Sequence, residues 1–261
     1  MNNEKHITIA VPALNSAATI ERTLQSLLAQ SGCRVSIVVA DSGSTDRTLE
    51  ICRDMGVTSL YVPPGNMYRA INAVLRDSKT DWIGYLNSDD WVYSTTFSRL
   101  ISHAEHSGAD VVYGNCDYVD FEGRLLYSFS STSPRALPAL FRYGIFGFAQ
   151  QAAIFKSSLY KQLNGFDEKY LLGADADFYA RASLAGARFQ KLPGEAVAAF
   201  RLHEMQLTNM RMSEFKKEQR AIQQSYGEPR FPIDMLEVAG WRIQNIPNYI
   251  VRVVRKFWLR S

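Results

Sequence analysis

The chain has 261 residues, 46% of them hydrophobic and 21% charged, an ordinary balance for one large or two small globular domains. Its formal net charge of +3 is too small to point to nucleic acid, and no run reaches the roughly 20 apolar residues that a membrane-spanning helix needs. Cys33, Cys52 and Cys116 follow no metal or disulfide spacing, and the first residues lack a signal peptide's apolar stretch, so a cytoplasmic setting is expected.

Residues 7–11 are rich in β-branched side chains and stopped by Pro12, as in a strand. Asn15 and Ser16 offer caps before Ile20, Leu24, Leu27 and Leu28, which recur at helical spacing up to Gly32. Residues 35–40 form a near-continuous apolar strand, the kind covered on both faces of a parallel sheet. A polar turn at 41–46 leads into a helix ending near Met55, and residues 59–62 make a third strand. Helix returns over 66–76, and 82–86 is a fourth strand. Strands alternating with helices predict an open, mostly parallel sheet, whose ligands sit beyond the carboxyl ends of the strands.

Ser94 is a candidate cap for a helix carrying Phe97, Leu100, Ile101 and Ala104. Residues 111–113 and 116–119 read as strands, and a turn at 121–124 with Gly123 makes 125–129 a returning hairpin strand. Residues 130–147 read as an irregular aromatic loop. Strand at 152–155, a helix terminated by Gly165, a helix over 175–184 and a last strand at 196–200 follow, the last leading to His203. No internal repeat is visible.

Leu86-Asn87-Ser88-Asp89-Asp90 stands out because an apolar strand ends in adjacent carboxylates, which repel and need solvation or a counter-ion. One reading is a strand-end Mg²⁺ or Mn²⁺ site that neutralises a diphosphate; the other is a pair of caps for the following helix.

Taken with that segment, residues 11–15 (Val-Pro-Ala-Leu-Asn), 41–46 (Asp-Ser-Gly-Ser-Thr-Asp) and 65–72 (Gly-Asn-Met-Tyr-Arg-Ala-Ile-Asn) resemble, in order, the signature of family 2 glycosyltransferases with the GT-A fold. Asn164-Gly165-Phe166-Asp167-Glu168 and Ala174-Asp175-Ala176-Asp177-Phe178 resemble that family's acceptor-side motifs, and Arg201-Leu202-His203 its late metal-ligand segment. The resemblance covers roughly residues 6–208. It implies a Rossmann-like α/β fold and inverting transfer from a nucleotide-diphosphate sugar, UDP-linked by default. The acceptor is then a hydroxyl of a glycan or lipid-linked sugar, as in surface polysaccharide synthesis.

The resemblance also implies roles. Asp41 receives a base N–H, or on the simpler reading starts an Asx turn. Pro12, Ala13 and Asn15 line the nucleotide through backbone groups, with Asn15 alternatively a helix cap. Arg69 reaches the diphosphate, and Tyr68 and Asn72 face the same crevice from one helix. Asn87, where relatives often carry Asp, contacts the donor sugar beside Ser88. Asp89, with Asp90 beside it, and His203 bind Mn²⁺ or Mg²⁺. Asp175 is the general base, because the attacking hydroxyl must lose a proton as the new bond forms. Its other reading is a helix cap, and Ala174 stands where relatives often have Glu. Gln150 and Gln151 are candidate sugar contacts, and Trp91, Phe146, Phe148 and Tyr170 are candidate stacking platforms or core.

The expected organisation is a catalytic domain over 1–210, with a donor half at 1–98 and an acceptor half at 99–210, then a helical extension over 211–261. Residues 240–261 carry five Arg or Lys and no acid, with Ile250, Val251, Val254, Phe257 and Trp258 on one helical side, the pattern of a helix lying on an anionic membrane surface. The alternative is packing on protein. A nucleotidyltransferase lacks its Gly-rich basic loop here, a dehydrogenase its G-x-G-x-x-G, and an inactive nucleotide-sugar-binding module stays open through Asn87 and Ala174. No nucleic-acid partner is expected, and the sequence does not specify an oligomeric state.

Overall fold

Strand and helix alternate along the first ninety residues as the sequence predicts. In the computed structural model, which describes residues 4–203, 206–248, 250 and 251, the order is β1 (His6–Ala13), α1 (Ile20–Leu28), β2 (Arg34–Asp41), α2 (Thr48–Asp54), β3 (Thr58–Tyr61), α3 (Met67–Leu75) and β4 (Trp82–Tyr85). The chain continues through β5 (Trp91–Val92), α4 (Thr96–Ser107), β6 (Val111–Val119), β7 (Leu125–Phe129), α5 (Leu137–Arg142), β8 (Ala153–Lys156) and α6 (Ser157–Gln162). It ends with α7 (Ala174–Leu184), β9 (Phe189–Arg201), α8 (Leu207–Met210), α9 (Met212–Tyr226) and α10 (Ile233–Gln244).

Among the described residues these strands form one nine-stranded sheet in the order β3-β2-β1-β4-β8-β6-β9-β5, with β7 added beside β6. The half from β3 to β4 is parallel; β1 and β4 are buried apolar runs at its centre, while β3 is an exposed edge strand. Beyond β4 the sheet is mixed, because β8 runs antiparallel to both β4 and β6 while β9 runs parallel to β6. The mostly parallel sheet expected from sequence therefore describes its first half only.

Local differences have local causes. The two strands predicted at 111–119 are one, β6, with register shifts against β9 around Gly114. A Cβ at Gly114 would lie 2.7 Å from Val197 Cγ2, so glycine lets β9 approach there. Residues 130–147 are not wholly irregular. Leu137, Leu140 and Phe141 bury one side of α5, and Pro138 sits in its first turn, where a missing N–H costs nothing. Helix α4 starts after Thr95 without a side-chain cap; Ser94 instead accepts a bond from Ser31 N through its carbonyl.

The helical extension packs on the second half of the preceding fold, residues 99–210. Ile222 and Tyr226 of α9 join the core around Phe141, Phe178 and Tyr179. Val238 and Trp241 of α10 pack with Ala136 and Leu140. Most of the basic stretch that the sequence marks as a surface helix, residues 252–261, lies outside the described residues.

Candidate active site

The loops leaving β1, β2 and β4 are laced together at the carboxyl edge of the sheet. Asn15, in a left-handed conformation at φ 52°, accepts from Thr45 N at 2.9 Å through Oδ1, while Asn15 N donates to Ser44 Oγ at 2.8 Å. Ser16 N donates to Thr48 Oγ1 at 2.8 Å, and the Ser16 and Ser88 hydroxyls are 2.8 Å apart. Pro12 and Ala13 close β1 in buried positions beneath this lacing. Asn15 is thus a tie between two loops rather than a helix cap. Asp46 accepts from Ala17 N at 3.0 Å and from Thr48 N, at the first residue of α2, at 3.0 Å.

The Asp41 carboxylate turns into its own loop. It is 2% exposed and accepts from Gly43 N at 2.9 Å, Ser44 N at 3.0 Å and Ser44 Oγ at 2.5 Å. The simpler of its two sequence readings, an Asx turn, describes this geometry, which holds the loop in shape.

At the exit of β4 the chain reaches two chemical groups within five residues. His203 Nε2 lies 2.8 Å from Asp89 Oδ2, although 114 positions separate them in sequence. Both side chains keep an exposed edge, at 17% and 22%. Carboxylate oxygen and imidazole nitrogen are a donor set suited to Mn²⁺, and 2.8 Å is close to the ~3 Å between neighbouring donors around a six-coordinate cation with ~2.1 Å bonds. These residues fit a cation held jointly with phosphate oxygens. Among the described residues no group of three or more His, Cys, Asp or Glu forms a cage of protein ligands.

Asp90 does not share that rim. It is fully buried, with Oδ1 accepting from Arg201 N at 2.9 Å and Oδ2 from Gln151 Nε2 at 2.8 Å and Asn87 Nδ2 at 3.3 Å. Burial, then the neighbouring Asp89 charge, pushes its carboxyl pKa well up. The metal reading of Asp90 is corrected accordingly: it pins β9 and the 150–151 segment to the β4 exit, so that His203 meets Asp89. Asn87 is left with a buried Oδ1 that has no protein partner, beside the rim, consistent with a contact to a ligand hydroxyl.

Asp175 opens α7 and reaches the other end of the same segment. Tyr68 Oη lies 2.9 Å from Asp175 Oδ1, and Tyr85 Oη lies 3.2 Å from Oδ2. Ala176 N also donates to Oδ1, at 2.8 Å. Burial raises the Asp175 pKa, and these donors partly oppose the rise. The tyrosine hydroxyls are themselves held well above their ordinary pKa, first by burial and then by the Asp175 charge, so they remain donors. Tyr85 and Asp89 are four residues apart, a span of at most about 14 Å of chain. Asp175 and the Asp89–His203 pair therefore flank one exit loop. Tyr85, whose ring ends an apolar strand, carried no sequence signal for this role beyond its place before the carboxylates.

Of the two α3 residues expected to face the crevice, Tyr68 meets Asp175 but Asn72 does not face it. Asn72 is fully buried: it donates to Phe166 O and Glu168 Oε1, both at 2.9 Å, and accepts from Phe166 N at 3.0 Å and from the Tyr160 hydroxyl. It bolts α3 to the 164–168 turn. Arg69 is exposed and paired with Glu168 at 3.4 Å. Trp91 is buried, with the Arg22 guanidinium 3.4 Å and that of Arg201 5.2 Å from its ring centre, and Phe148 and Tyr170 are core residues. The stacking role for these rings gives way to packing. Gln150 donates to Tyr85 O at 2.6 Å, supporting the exit loop.

Comparison with known proteins identifies the family and the fold. The glycosyl transferase family 2 model matches residues 8–163. A succinoglycan biosynthesis protein, ExoO, of Rhizobium meliloti is 32% identical over 203 residues, covering 70% of this chain and 57% of that protein. An uncharacterized glycosyltransferase, EpsJ, of Bacillus subtilis is 31% identical over 111 residues, 41% of this chain and 32% of its own length. The chain thus spans little more than half of ExoO and about a third of EpsJ. Among solved structures, S. aureus TarS 1-349 in complex with UDP superposes with a TM-score of 0.67 at 20% identity, covering 93% of this chain and 72% of that one. The mannosyltransferase PcManGT from Pyrobaculum calidifontis, in complex with GDP-Man and Mn²⁺, gives 0.62 at 17% identity, covering 100% and 82%. Both share the GT-A fold with this chain. With its family model matched over more than half its length, the chain belongs to glycosyl transferase family 2.

Proposed function

We propose that this chain is an inverting glycosyltransferase that moves a sugar from a nucleoside-diphosphate sugar to a hydroxyl of a glycan or lipid-linked acceptor in polysaccharide synthesis. The observation carrying it is the exit of β4: one short segment meets a buried-edge carboxylate, Asp175, at Tyr85 and an Asp–His pair at Asp89. TarS with UDP and PcManGT with GDP-Man and Mn²⁺ support the donor class by likeness of fold.

Transfer requires that the acceptor oxygen attack the anomeric carbon while the bond from that carbon to the diphosphate oxygen breaks. Asp175 takes the acceptor's proton; its raised pKa brings it nearer the strength a base needs at neutral pH. Tyr68 and Tyr85 hold both carboxylate oxygens in place through the proton transfer. Asp89 and His203 would hold Mn²⁺ or Mg²⁺, which supplies positive charge to the diphosphate leaving group. The laced 13–16 and 41–46 loops present backbone groups where the nucleoside would lie, and Asn87 offers its unpaired Oδ1 to the sugar.

A surface reading of the extension belongs here as well. Leu236, Ile243 and Ile250 recur every seven residues and are 63%, 66% and 57% exposed, with Ile246 between them at 48%. The buried Asp234, Val238, Trp241 and Asn245 point the other way. This outward apolar row leads into the basic, acid-free sequence up to Ser261, which supports contact with an anionic lipid surface rather than with a second, equally basic copy.

The donor is identified by thermal shift across UDP- and GDP-sugars with and without Mn²⁺. The expected result is a Mn²⁺-dependent stabilisation by one nucleotide series that disappears in Asp89→Ala. Binding that ignores both the cation and this substitution would remove the metal reading. Release of pyrophosphate instead of nucleoside diphosphate would replace the glycosyltransferase with a nucleotidyltransferase.

A further inference from the structure

Helix α9 reaches back to the start of the base-bearing helix. Glu218 Oε1 accepts from Leu171 N at 2.9 Å, and Oε2 accepts from Leu172 N and Gly173 N, each at 2.9 Å. One carboxylate gathers three successive amides immediately ahead of α7, where the positive end of that helix also favours an anion. One turn further along α9, Ile222 closes over the same place: a Cβ at Gly173 would lie 3.1 Å from Ile222 Cδ1. On its other side the loop meets the site, for Leu172 O lies 3.2 Å from the Tyr68 hydroxyl, which is also 2.9 Å from Asp175 Oδ1. Gln219 and Gln223 of the same helix donate to Gly144 O at 2.6 Å and Arg142 O at 2.9 Å, so α9 splints two acceptor-side loops at once.

We infer that Glu218 is a positioning residue for the active site: by clamping the amides of residues 171–173 it sets where Asp175 stands against Tyr68 and Tyr85. The helical extension thereby completes the catalytic centre instead of merely covering it. The inference rests on reading Asp175 as the base. Its physical logic is that three charge-assisted bonds hold a short loop more firmly than loop packing does, and a general base loses rate steeply when displaced by an ångström.

Two measurements on the full chain test it. Amide hydrogen exchange needs no ligand. In Glu218→Ala the amides of 171–173 should exchange at least tenfold faster, and in Glu218→Gln, which keeps one acceptor oxygen, by an intermediate factor. Turnover is read as UDP released from UDP-N-acetylglucosamine or GDP from GDP-mannose, whichever the enzyme uses. In Glu218→Ala kcat should fall ten- to a hundredfold with donor KM changed less than twofold. The acid limb of the kcat–pH profile should move to lower pH as Asp175 becomes better solvated. Unchanged exchange at 171–173 overturns the inference, as does a loosened loop with unaltered kcat and pH profile. Full turnover in Asp175→Asn would instead overturn the base assignment, while the exchange result at 171–173 would still report whether Glu218 clamps the loop.

Discussion

Asp175 combines two environments that pull in opposite directions. Packing raises its pKa, while Tyr68, Tyr85 and Ala176 N donate to its ionised form. Burial wins, and the sign of that result sets two expectations. In the proposed role of base the residue would work only when ionised, so activity should fall with decreasing pH through a value above the ordinary carboxylate range near 4. For stability, the folded state holds this proton more tightly than the unfolded chain. The associated stability is therefore present at low pH and lost as pH rises through the raised folded pKa. Asp175→Asn should lower transfer by about 10²–10⁴-fold. It should also melt higher than the parent at neutral pH, the difference closing towards acid; a variant that melts lower at pH 7 and retains turnover would count against both expectations.

At the scale of elements, much of the site's rigidity comes from single polar side chains that bolt one element to another. Asn72 joins α3 to the 164–168 turn with its amide fully engaged. Asn72→Ala leaves buried partners unsatisfied and should cost about 3 kcal/mol, read by urea denaturation. Helix α10 is fastened to α5 by a two-point pair, Arg142 Nε and Nη2 to Asp234 at 2.5 and 2.8 Å, with Asp234 1% exposed. The guanidinium holds the Asp234 carboxyl well below its usual range. Its contribution is therefore present at neutral pH and lost only as pH falls through that lowered folded value. Asp234→Ala strands Arg142 and should cost about 3–5 kcal/mol at neutral pH. A loss below 1 kcal/mol would mean that α10 is held by its apolar face alone.

Across the whole molecule, the helical extension has an inner face packed on α5 and α7 and an outer face left apolar. Trp241 and Asn245 belong to the inner face, so a cut at 241 would remove core as well as surface. Removing residues 246–261 avoids that. The truncated chain should keep its melting temperature within a few degrees and lose flotation with phosphatidylglycerol vesicles, while neither form should float with phosphatidylcholine vesicles. Equal flotation of both forms on anionic vesicles would exclude the extension's outer row as the contact. Among the described residues no helix is long and apolar enough to cross a membrane.

The sequence by itself determined the parallel half of the sheet, the loops at its carboxyl edge and the candidacy of Asp89, Asp175 and His203. These are encoded locally, in apolar runs that stop at polar residues and in motifs a few residues long. Only the tertiary structure decided which carboxylates do what. Asp89 and Asp90 are neighbours in sequence, yet one faces His203 at the rim and the other is buried under Arg201 N, because the turn closed by Asp90 N donating to Asn87 O at 3.1 Å sends the two side chains different ways. Tyr85 and Glu218 were illegible for the same reason in reverse: their partners lie 90 and about 45 residues away, and only the packing of α7 against the sheet and of α9 against α7 brings them together.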